Sequence, residues 1–173
     1  RDSPEGGAFY STAHDHESLL IRKKESTDHA TPSDNAVAAH VFARLSRHFN
    51  DQNFRETSIQ IIEGLGEEVS RMPRGYCKTL QAVDFLLSDP HEIVLSGAAQ
   101  APQSQKLRQT VYATFLPARI IAHQEASSRH PLLEGRETNA ESLVYVCRNY
   151  TCHQPVASVD ELENQLRGFI DNQ

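Results

Sequence analysis

Polar residues that could take part in acid–base chemistry cluster in residues 28–35, DHATPSDN. Asp28 can exchange a proton, and Ser33 and Asn35 can form hydrogen bonds with the hydroxyl groups of a ligand. Asp15 supplies a second carboxylate in an earlier polar turn, and two carboxylates in different environments can divide the roles of acid and base. The same residue types suit helix capping and loop hydrogen bonding, so a catalytic and a structural interpretation both remain open.

The element that must position this cluster is a helix predicted over residues 33–49. Ser33, Asp34 and Asn35 can accept hydrogen bonds from the free N–H groups of its first turn. One face carries the apolar residues Ala38, Val41, Phe42, Leu45 and Phe49, and a second face carries the small residues Ala36, Ala39 and Ala43. A helix with two such faces is typically surrounded by other helices. We therefore expect a buried helix whose leading end holds the polar cluster.

A second candidate site is the pair of cysteines Cys147 and Cys152, which four residues separate. This spacing is compatible with two free thiols, with a reversible disulfide, or with half of a metal site. We favour them in that order, because zinc would need two more ligands and only His153 is close in sequence. Arg148 follows Cys147 directly and could lower the pKa of a thiol. The pair is thus a candidate redox site.

Two further motifs are incomplete. His14 and His16 would place two imidazoles on one face of a strand, but no third and fourth metal ligand can be assigned. Ser96 and Gly97 follow a predicted strand, but the next residues lack both a G-x-G-x-x-G fingerprint and a P-loop lysine. We therefore predict neither a metal nor another cofactor.

The composition excludes several classes of partner. A formal net charge of −6 over 173 residues argues against binding to nucleic acid, since phosphate contacts need clustered Lys and Arg. No apolar run approaches the roughly 20 residues that span a bilayer, so no membrane partner is expected. Three cysteines are too few for a disulfide framework. With no secretory signal pattern, we expect a reducing, cytoplasmic compartment.

The apolar patterning predicts two units of mixed α and β structure. Residues 1–90 would contain helical hairpins, preceded by an N-terminal hairpin or loop, and residues 91–173 would form a small α/β unit. A strand–helix–strand run predicts a parallel pair of strands, so the second unit is expected to be three-stranded and mostly parallel. The predicted helices span residues 54–72, 76–87, 103–115 and 159–170, and the strands span residues 92–96, 118–122 and 143–147.

Several stretches resemble a single protein family. They are GGAFYST, LLIRKKE, DHATPSDNAVAAH, LVYVCRNYTCHQPV and DELENQL. They are similar to the C-terminal part of the thioredoxin-domain-containing family that includes the spermatogenesis-associated proteins. The typical loop of that family reads Asp-Gly-Ala-x-Pro-Ser-x-Asn-Ser, and here His29 and Ala36 replace the glycine and the final serine. Cys147 and Cys152 agree with the family pattern.

The resemblance implies a longer protein, with a thioredoxin-like domain followed by an (α/α)6 toroid. Such a toroid is similar to that of six-hairpin sugar enzymes such as the N-acylglucosamine 2-epimerases. This chain has no Cys-x-x-Cys motif and has room for only part of a toroid. We therefore expect a C-terminal fragment whose partners are the missing toroid hairpins and the thioredoxin-like domain.

The first hypothesis drawn from this resemblance is a site that processes or binds a small carbohydrate. Asp28 and Asp15 would transfer protons, and Arg22, Ser33 and Asn35 would contact the substrate. That role is an analogy of fold only, and we expect no catalysis from this chain alone. It requires the opening loop to face a cleft.

The second hypothesis is a non-enzymatic structural or partner-binding module. Cys147 and Cys152 would exchange electrons with the thioredoxin-like domain. This hypothesis allows the opening loop to be packed shut, and it predicts exposed apolar residues on the helices, through which the fragment could also self-associate.

Overall fold

The computed structural model describes residues 7–13, 15–16, 20–124, 130–134, 136, 141–148 and 151–170. The chain divides into two compact units, Arg1–Ser88 and Asp89–Gln173. His14 lies outside the described residues, so the predicted His-x-His pair cannot be placed. None of the helices in these described ranges is long and apolar enough to cross a membrane.

The first unit consists of helices and the extended segment that precedes them. Its helices are α1 (Asp34–Phe49), α2 (Gln52–Glu63), α3 (Gly66–Arg71) and α4 (Cys77–Leu87), and a 3₁₀ turn (Pro73–Tyr76) leads into α4. Helices α1 and α4 agree with the prediction. The single helix predicted over residues 54–72 is wrong, because α2 ends at Gly64. A Cβ atom on Gly64 would lie 3.1 Å from the Cα atom of Gly7, so the chain is interrupted where the N-terminal segment passes closely.

Helix α1 is buried along its face of small residues. The residues Asn35, Ala36, Ala39, Ala43 and Ser46 are all enclosed. On α2, the Ser58 hydroxyl donates a 2.7 Å hydrogen bond to the carbonyl of Ala39, which shows how closely the two backbones approach. The predicted second buried face is wrong in part, since Val41 and Phe49 are 46% and 47% exposed. Small side chains bring the neighbouring helices close on one side, whereas the other side is only partly covered.

The N-terminal hairpin predicted from residues 8–12 and 19–22 is not seen as a pair of strands in the described part of these segments. The Ser11 N–H donates a 2.9 Å hydrogen bond to the Lys23 carbonyl. The two segments therefore run beside each other as irregular chain.

The second unit contains a four-stranded mixed sheet in the order β2-β1-β3-β4. The strands are β1 (His91–Ser96), β2 (Arg119–His123), β3 (Leu143–Arg148) and β4 (Thr151–Cys152), and the helices are α5 (Pro102–Ala113) and α6 (Val159–Ile170). Strands β1 and β2 are parallel, as expected for two strands joined through a helix.

The prediction of a three-stranded, mostly parallel sheet is wrong, because β3 runs antiparallel to β1 and β4 antiparallel to β3. In its described part the connection from β2 to β3 carries only a 3₁₀ turn (Pro131–Leu133), whereas parallel neighbours are usually joined by a full helical crossover. The two residues between β3 and β4 are too few for any crossover.

The core of the second unit lies between the sheet and its two helices. It is formed by Ile93, Leu95, Leu107, Val111, Leu116, Val144, Val146, Leu162 and Leu166. Side chains alternate between the two faces of a strand, so Glu92 and Val94 lie on the opposite face of the sheet from Ile93 and Leu95. All six residues of β1 are buried, so both faces of this strand are covered.

Gly97 follows β1 in a conformation that only glycine adopts readily. Its φ angle is +104°, and a Cβ atom there would lie 2.9 Å from the Cα atom of Ser142. We expect Gly97→Ala to lower the free energy of unfolding by about 2 kcal/mol, because it adds backbone strain and a backbone clash.

The matched control is Gly168→Ala in α6, where a Cβ atom meets nothing within 4 Å. This substitution is expected to raise stability by up to about 1 kcal/mol, since alanine is the better helix former. Urea denaturation followed by circular dichroism measures both variants. Equal stabilities for the two would contradict the assigned turn.

Candidate functional site

Asp28, the predicted proton-transfer group, connects two helix starts. One carboxylate oxygen accepts a 2.9 Å hydrogen bond from the N–H of Ser33, and the other accepts a 2.8 Å bond from the N–H of Lys78. Lys78 lies in the first turn of α4, where Tyr76 at the cap position supplies no side-chain bond. Asp28 therefore caps α4 from fifty residues away, and both of its oxygens have backbone partners.

Ser33 and Asn35 are held by bonds inside the protein. The Ser33 hydroxyl accepts from the N–H of Ala36 and donates a 2.9 Å bond to the carbonyl of Ser26, so Ser33 is the N-cap of α1. The Asn35 amide group donates to the carbonyls of Phe9 and Glu25 at 2.9 and 2.8 Å. Its side-chain oxygen accepts a 2.6 Å bond from the N–H of Phe9.

These two side chains are closed to solvent. Ser33 is 2% exposed and Asn35 is 1% exposed. A ligand hydroxyl could reach them only by displacing the backbone of the N-terminal segment. The Ser33 and Asn35 side chains are therefore closed to a ligand, whereas Asp28 is half-buried and residues 29–32 of the loop are exposed.

Arg22 and Asp15 lie in the N-terminal segment. The guanidinium of Arg22 lies 4.2 Å from the ring centre of Tyr10 and donates a hydrogen bond to the carbonyl of Thr12. These contacts hold residues 10–12 against residue 22. Asp15 is exposed, and its pairing with Asp28 stays a prediction.

His40 is a partly buried group close to the same cluster. Its Nδ1 atom lies 2.6 Å from the Nζ atom of Lys78. Because an ammonium group can only donate, Nδ1 accepts and the ring is neutral. Burial, and then the charges of Lys78 and Arg44, lower the pKa of His40 to about 4.

The cysteine pair joins two strands of the sheet. Cys147 on β3 lies directly opposite Cys152 on β4, and the two form a disulfide bond. The ordering that placed free thiols first is therefore wrong, because antiparallel pairing brings the two sulfur atoms together. Cys147 is fully buried, while Cys152 is exposed at the edge of the sheet.

Arg136 contacts both sulfur atoms. Its Nη2 atom lies 2.9 Å from the Sγ of Cys147 and 3.0 Å from the Sγ of Cys152. Burial lowers the pKa of Arg136, and the negative charge of Glu92 opposes that effect. A guanidinium nevertheless keeps its charge at neutral pH. The sulfur pair therefore lies beside a fixed positive charge.

Glu92 lies in the same row across the sheet. It is 3% exposed and is the register partner of Cys147 on the neighbouring strand. Residues directly opposite in antiparallel strands share a face of the sheet. One face therefore carries a buried acid, a disulfide and a guanidinium next to one another.

Sequence reasoning missed both Arg136 and Glu92. It nominated Arg148 because that residue follows Cys147, whereas successive residues of a strand point to opposite faces. Arg136 lies between the strands predicted over residues 118–122 and 143–147, and nothing in its spacing marks it. Glu92 directly before the apolar residues Ile93, Val94 and Leu95 was the one local signal, since buried acids are rare unless paired.

The described residues of the other motifs do not assemble a metal site. In the described ranges no group of three or more His, Cys, Asp and Glu could hold a metal ion. Ser96 and Gly97 border a cavity of about 260 Å³ at the end of β1, which Arg108 and His123 also line. Ser96 donates to the carbonyl of Leu143, so its hydroxyl is used within the protein.

Comparison with known proteins shows relatives over nearly the whole chain. No protein-family model matches it. It is 28% identical over 172 residues to spermatogenesis-associated protein 20 of Homo sapiens and also to that of Rattus norvegicus, in each case over 95% of this chain and 22% of the relative. It is 22% identical over 168 residues to an uncharacterized protein of Caenorhabditis elegans.

The chain spans about a fifth of the length of these curated relatives. The resemblance to the spermatogenesis-associated family is thereby confirmed, and it is consistent with the predicted C-terminal part of such a protein.

Asn35→Ala tests the structural assignment of the opening cluster. It would leave buried backbone groups of Phe9 and Glu25 without partners, at about 1–3 kcal/mol for each. We expect the free energy of unfolding to fall by about 3 kcal/mol in urea denaturation. Asp34→Ala on the exposed side of the same turn is the control and should cost about 0.5 kcal/mol. A fully stable Asn35→Ala protein would contradict the assignment.

The lowered pKa of His40 predicts a pH-dependent stability. Between pH 6.5 and pH 4 the unfolded chain binds a proton at His40 that the folded chain does not, so stability falls as the pH falls through this window. Allowing for partial exposure, the loss is about 2 kcal/mol.

Urea denaturation of wild type and His40→Gln at pH 7 and pH 4.5 isolates this contribution. The variant should lose less stability than wild type over the same interval, because carboxylates elsewhere titrate in both proteins. The same pH dependence in both would contradict the assignment.

Proposed function

We propose that this chain, which is similar to part of spermatogenesis-associated protein 20, is a non-enzymatic, partner-binding module of a longer protein. The observation that carries the proposal is the closure of the opening cluster. Asp28, Ser33 and Asn35 form hydrogen bonds with the backbone of the same unit, and Ser33 and Asn35 are buried. Residues of a sugar site would instead need polar atoms directed toward a cleft.

Exposed apolar side chains on the helices support the proposal. Five large residues on the helices of the first unit are between 38% and 82% exposed, namely Val37, Val41, Phe49, Leu80 and Leu87. Leu80 and Leu87 are seven residues apart, so they lie on one face of α4, opposite its buried residues. Apolar side chains presented in this way are typical of a surface that another part of a protein covers.

The occupant that we propose is the preceding helical region of the longer protein. The relatives are several times longer than this chain, so most of such a protein lies outside it. Helices α1, α2 and α4 pack side by side, and two residues, Asn50 and Asp51, join α1 to α2 as a hairpin. Further hairpins of an (α/α)6 toroid would continue this packing and cover the apolar side chains.

Self-association and carbohydrate binding are the competing functions. A second copy of this chain could cover the same helices, in which case the isolated chain would dimerise. A small carbohydrate would instead contact Asp28, Ser33 and Asn35. Shifts of the backbone NMR signals of these three residues on addition of a monosaccharide would contradict the proposed role.

Leu87→Glu tests the proposed surface. It places a charge where an apolar contact is expected, and because Leu87 is 82% exposed the fold should be retained. We expect binding to the separately produced helical region of the full-length protein to weaken at least tenfold, or about 1.4 kcal/mol, in isothermal titration calorimetry.

Gln81→Glu is the matched control, since it adds the same charge at an exposed position of the same helix. It should bind like wild type. Equal affinity of Leu87→Glu and Gln81→Glu, or no binding by the wild-type chain, would overturn the proposal.

A further inference from the structure

We propose that Cys147 and Cys152 form a thiol–disulfide exchange site that accepts two electrons from a protein dithiol. In this site Cys152 is the sulfur that is attacked, and Arg136 stabilises the thiolate that leaves. The inference rests on the second unit alone and does not depend on the docking surface of the first.

The exposure of the two sulfur atoms sets the direction of attack. Cys147 is fully buried in β3, whereas Cys152 is exposed on β4, which is an edge strand of the sheet. Exchange requires an incoming thiolate to approach one sulfur in line with the S–S bond. Only Cys152 offers that approach, so Cys147 is the leaving group.

Arg136 favours the reduced form of the pair. Its Nη2 atom is within 3.0 Å of both sulfur atoms. A sulfur atom of a neutral disulfide is a weak acceptor, but a thiolate carries a full negative charge and forms a charge-assisted bond with a guanidinium. Arg136 therefore stabilises the thiolate more strongly than the disulfide, which makes the disulfide easier to reduce.

Glu92 helps to keep the guanidinium in place. It is buried, and it lies directly opposite Cys147 across the strand pair. Its negative charge raises the pKa of Arg136 against the effect of burial. Arg136 is thus a positioning residue, since it acts through the sulfur atoms and not on the incoming dithiol.

The exchange balances in two steps. A thiolate of the dithiol attacks the Sγ of Cys152, the Cys147–Cys152 bond breaks, and its electron pair passes to Cys147 as a thiolate beside Arg136. The second thiol of the dithiol loses its proton to solvent and attacks the mixed disulfide at its own partner sulfur. Cys152 then leaves as a thiolate, and the dithiol becomes a disulfide while this pair is reduced.

A dithiol fits this site better than a single thiol. The mixed disulfide with Cys152 can return to the starting state if the buried Cys147 attacks it. A second thiol on the same molecule competes with that return at a high effective concentration, whereas a monothiol needs a second molecule from solution to complete the reduction. Dithiothreitol is the small dithiol that serves as the probe, and glutathione is the monothiol for comparison.

The first test measures the redox equilibrium of the full chain. Wild type, Arg136→Gln, Arg136→Lys and Arg167→Gln are incubated in mixtures of reduced and oxidised dithiothreitol, trapped by alkylation and quantified by mass spectrometry. We expect Arg136→Gln to lower the equilibrium constant for reduction about tenfold, which corresponds to about 30 mV. Arg136→Lys should retain part of the effect, because it keeps the charge.

Arg167→Gln removes an exposed arginine of α6 in the same unit and should stay within about twofold of wild type. An equal shift in Arg136→Gln and Arg167→Gln would overturn the role of Arg136. Circular dichroism checks the fold, and should Arg136→Gln fail to fold, Arg136→Lys carries the comparison.

The second test identifies the attacked sulfur and the thiolate. Cys77 is a free, exposed cysteine, so the variant Cys77→Ser/Cys152→Ser leaves the thiol of Cys147 alone, and its ionisation is followed by thiolate absorbance over a range of pH. We expect half-maximal ionisation below the pKa of about 8.5 of an ordinary cysteine, and a shift to higher pH when Arg136→Gln is added. An unshifted profile, a mixed disulfide on Cys147 in the wild-type chain, or equal reduction by glutathione and dithiothreitol would contradict the proposed order of events.

Discussion

The first unit depends on the carboxamide of Asn35. This buried group accepts from the N–H of Phe9 and donates to the carbonyls of Phe9 and Glu25, so it joins two distant extended segments to the start of α1. Backbone groups of irregular chain must find partners when they are buried. A single side chain with both a donor and an acceptor satisfies three of them. The alanine face of α1 then brings α2 and α4 close to the same point.

The closed cluster shows why residue type alone does not identify a catalytic site. Asp28 has the chemistry of a general base, but its two oxygens accept from the backbone of Ser33 and of Lys78. These two bonds give the carboxylate a structural role at both helix starts. Residue type alone therefore does not separate a structural acid from a catalytic one, and the hydrogen-bond partners must be known as well.

The elements could be predicted from the sequence where the signals are local. Ser33 marks the start of α1, and Pro90 marks a point beyond which α4 does not continue, as the capping and proline rules indicate. The direction of β3 and the capping of α4 by Asp28 could not be predicted, because the partners are tens of residues apart. Hydrophobic periodicity reports which residues are buried, but not which distant residue buries them. The candidate cysteines were found, whereas their bonded state required the pairing of β3 with β4.

The position of Arg136 could not be predicted for the same reason, because its partners are distant in sequence. Arg148 is adjacent to Cys147 in sequence, but alternation along β3 directs neighbouring side chains to opposite faces of the sheet. Arg136 reaches both sulfur atoms from a separate segment of chain. A row of Glu92, Cys147 and Cys152 across three strands places an acid at one end and an exposed sulfur at the other. Arg136 lies near Glu92, whose carboxylate is present in both redox states, and beside Cys147, which becomes a charged thiolate only on reduction. The interaction of Arg136 with the sulfur pair therefore changes with the redox state, whereas the hydrogen bonds of Asn35 do not.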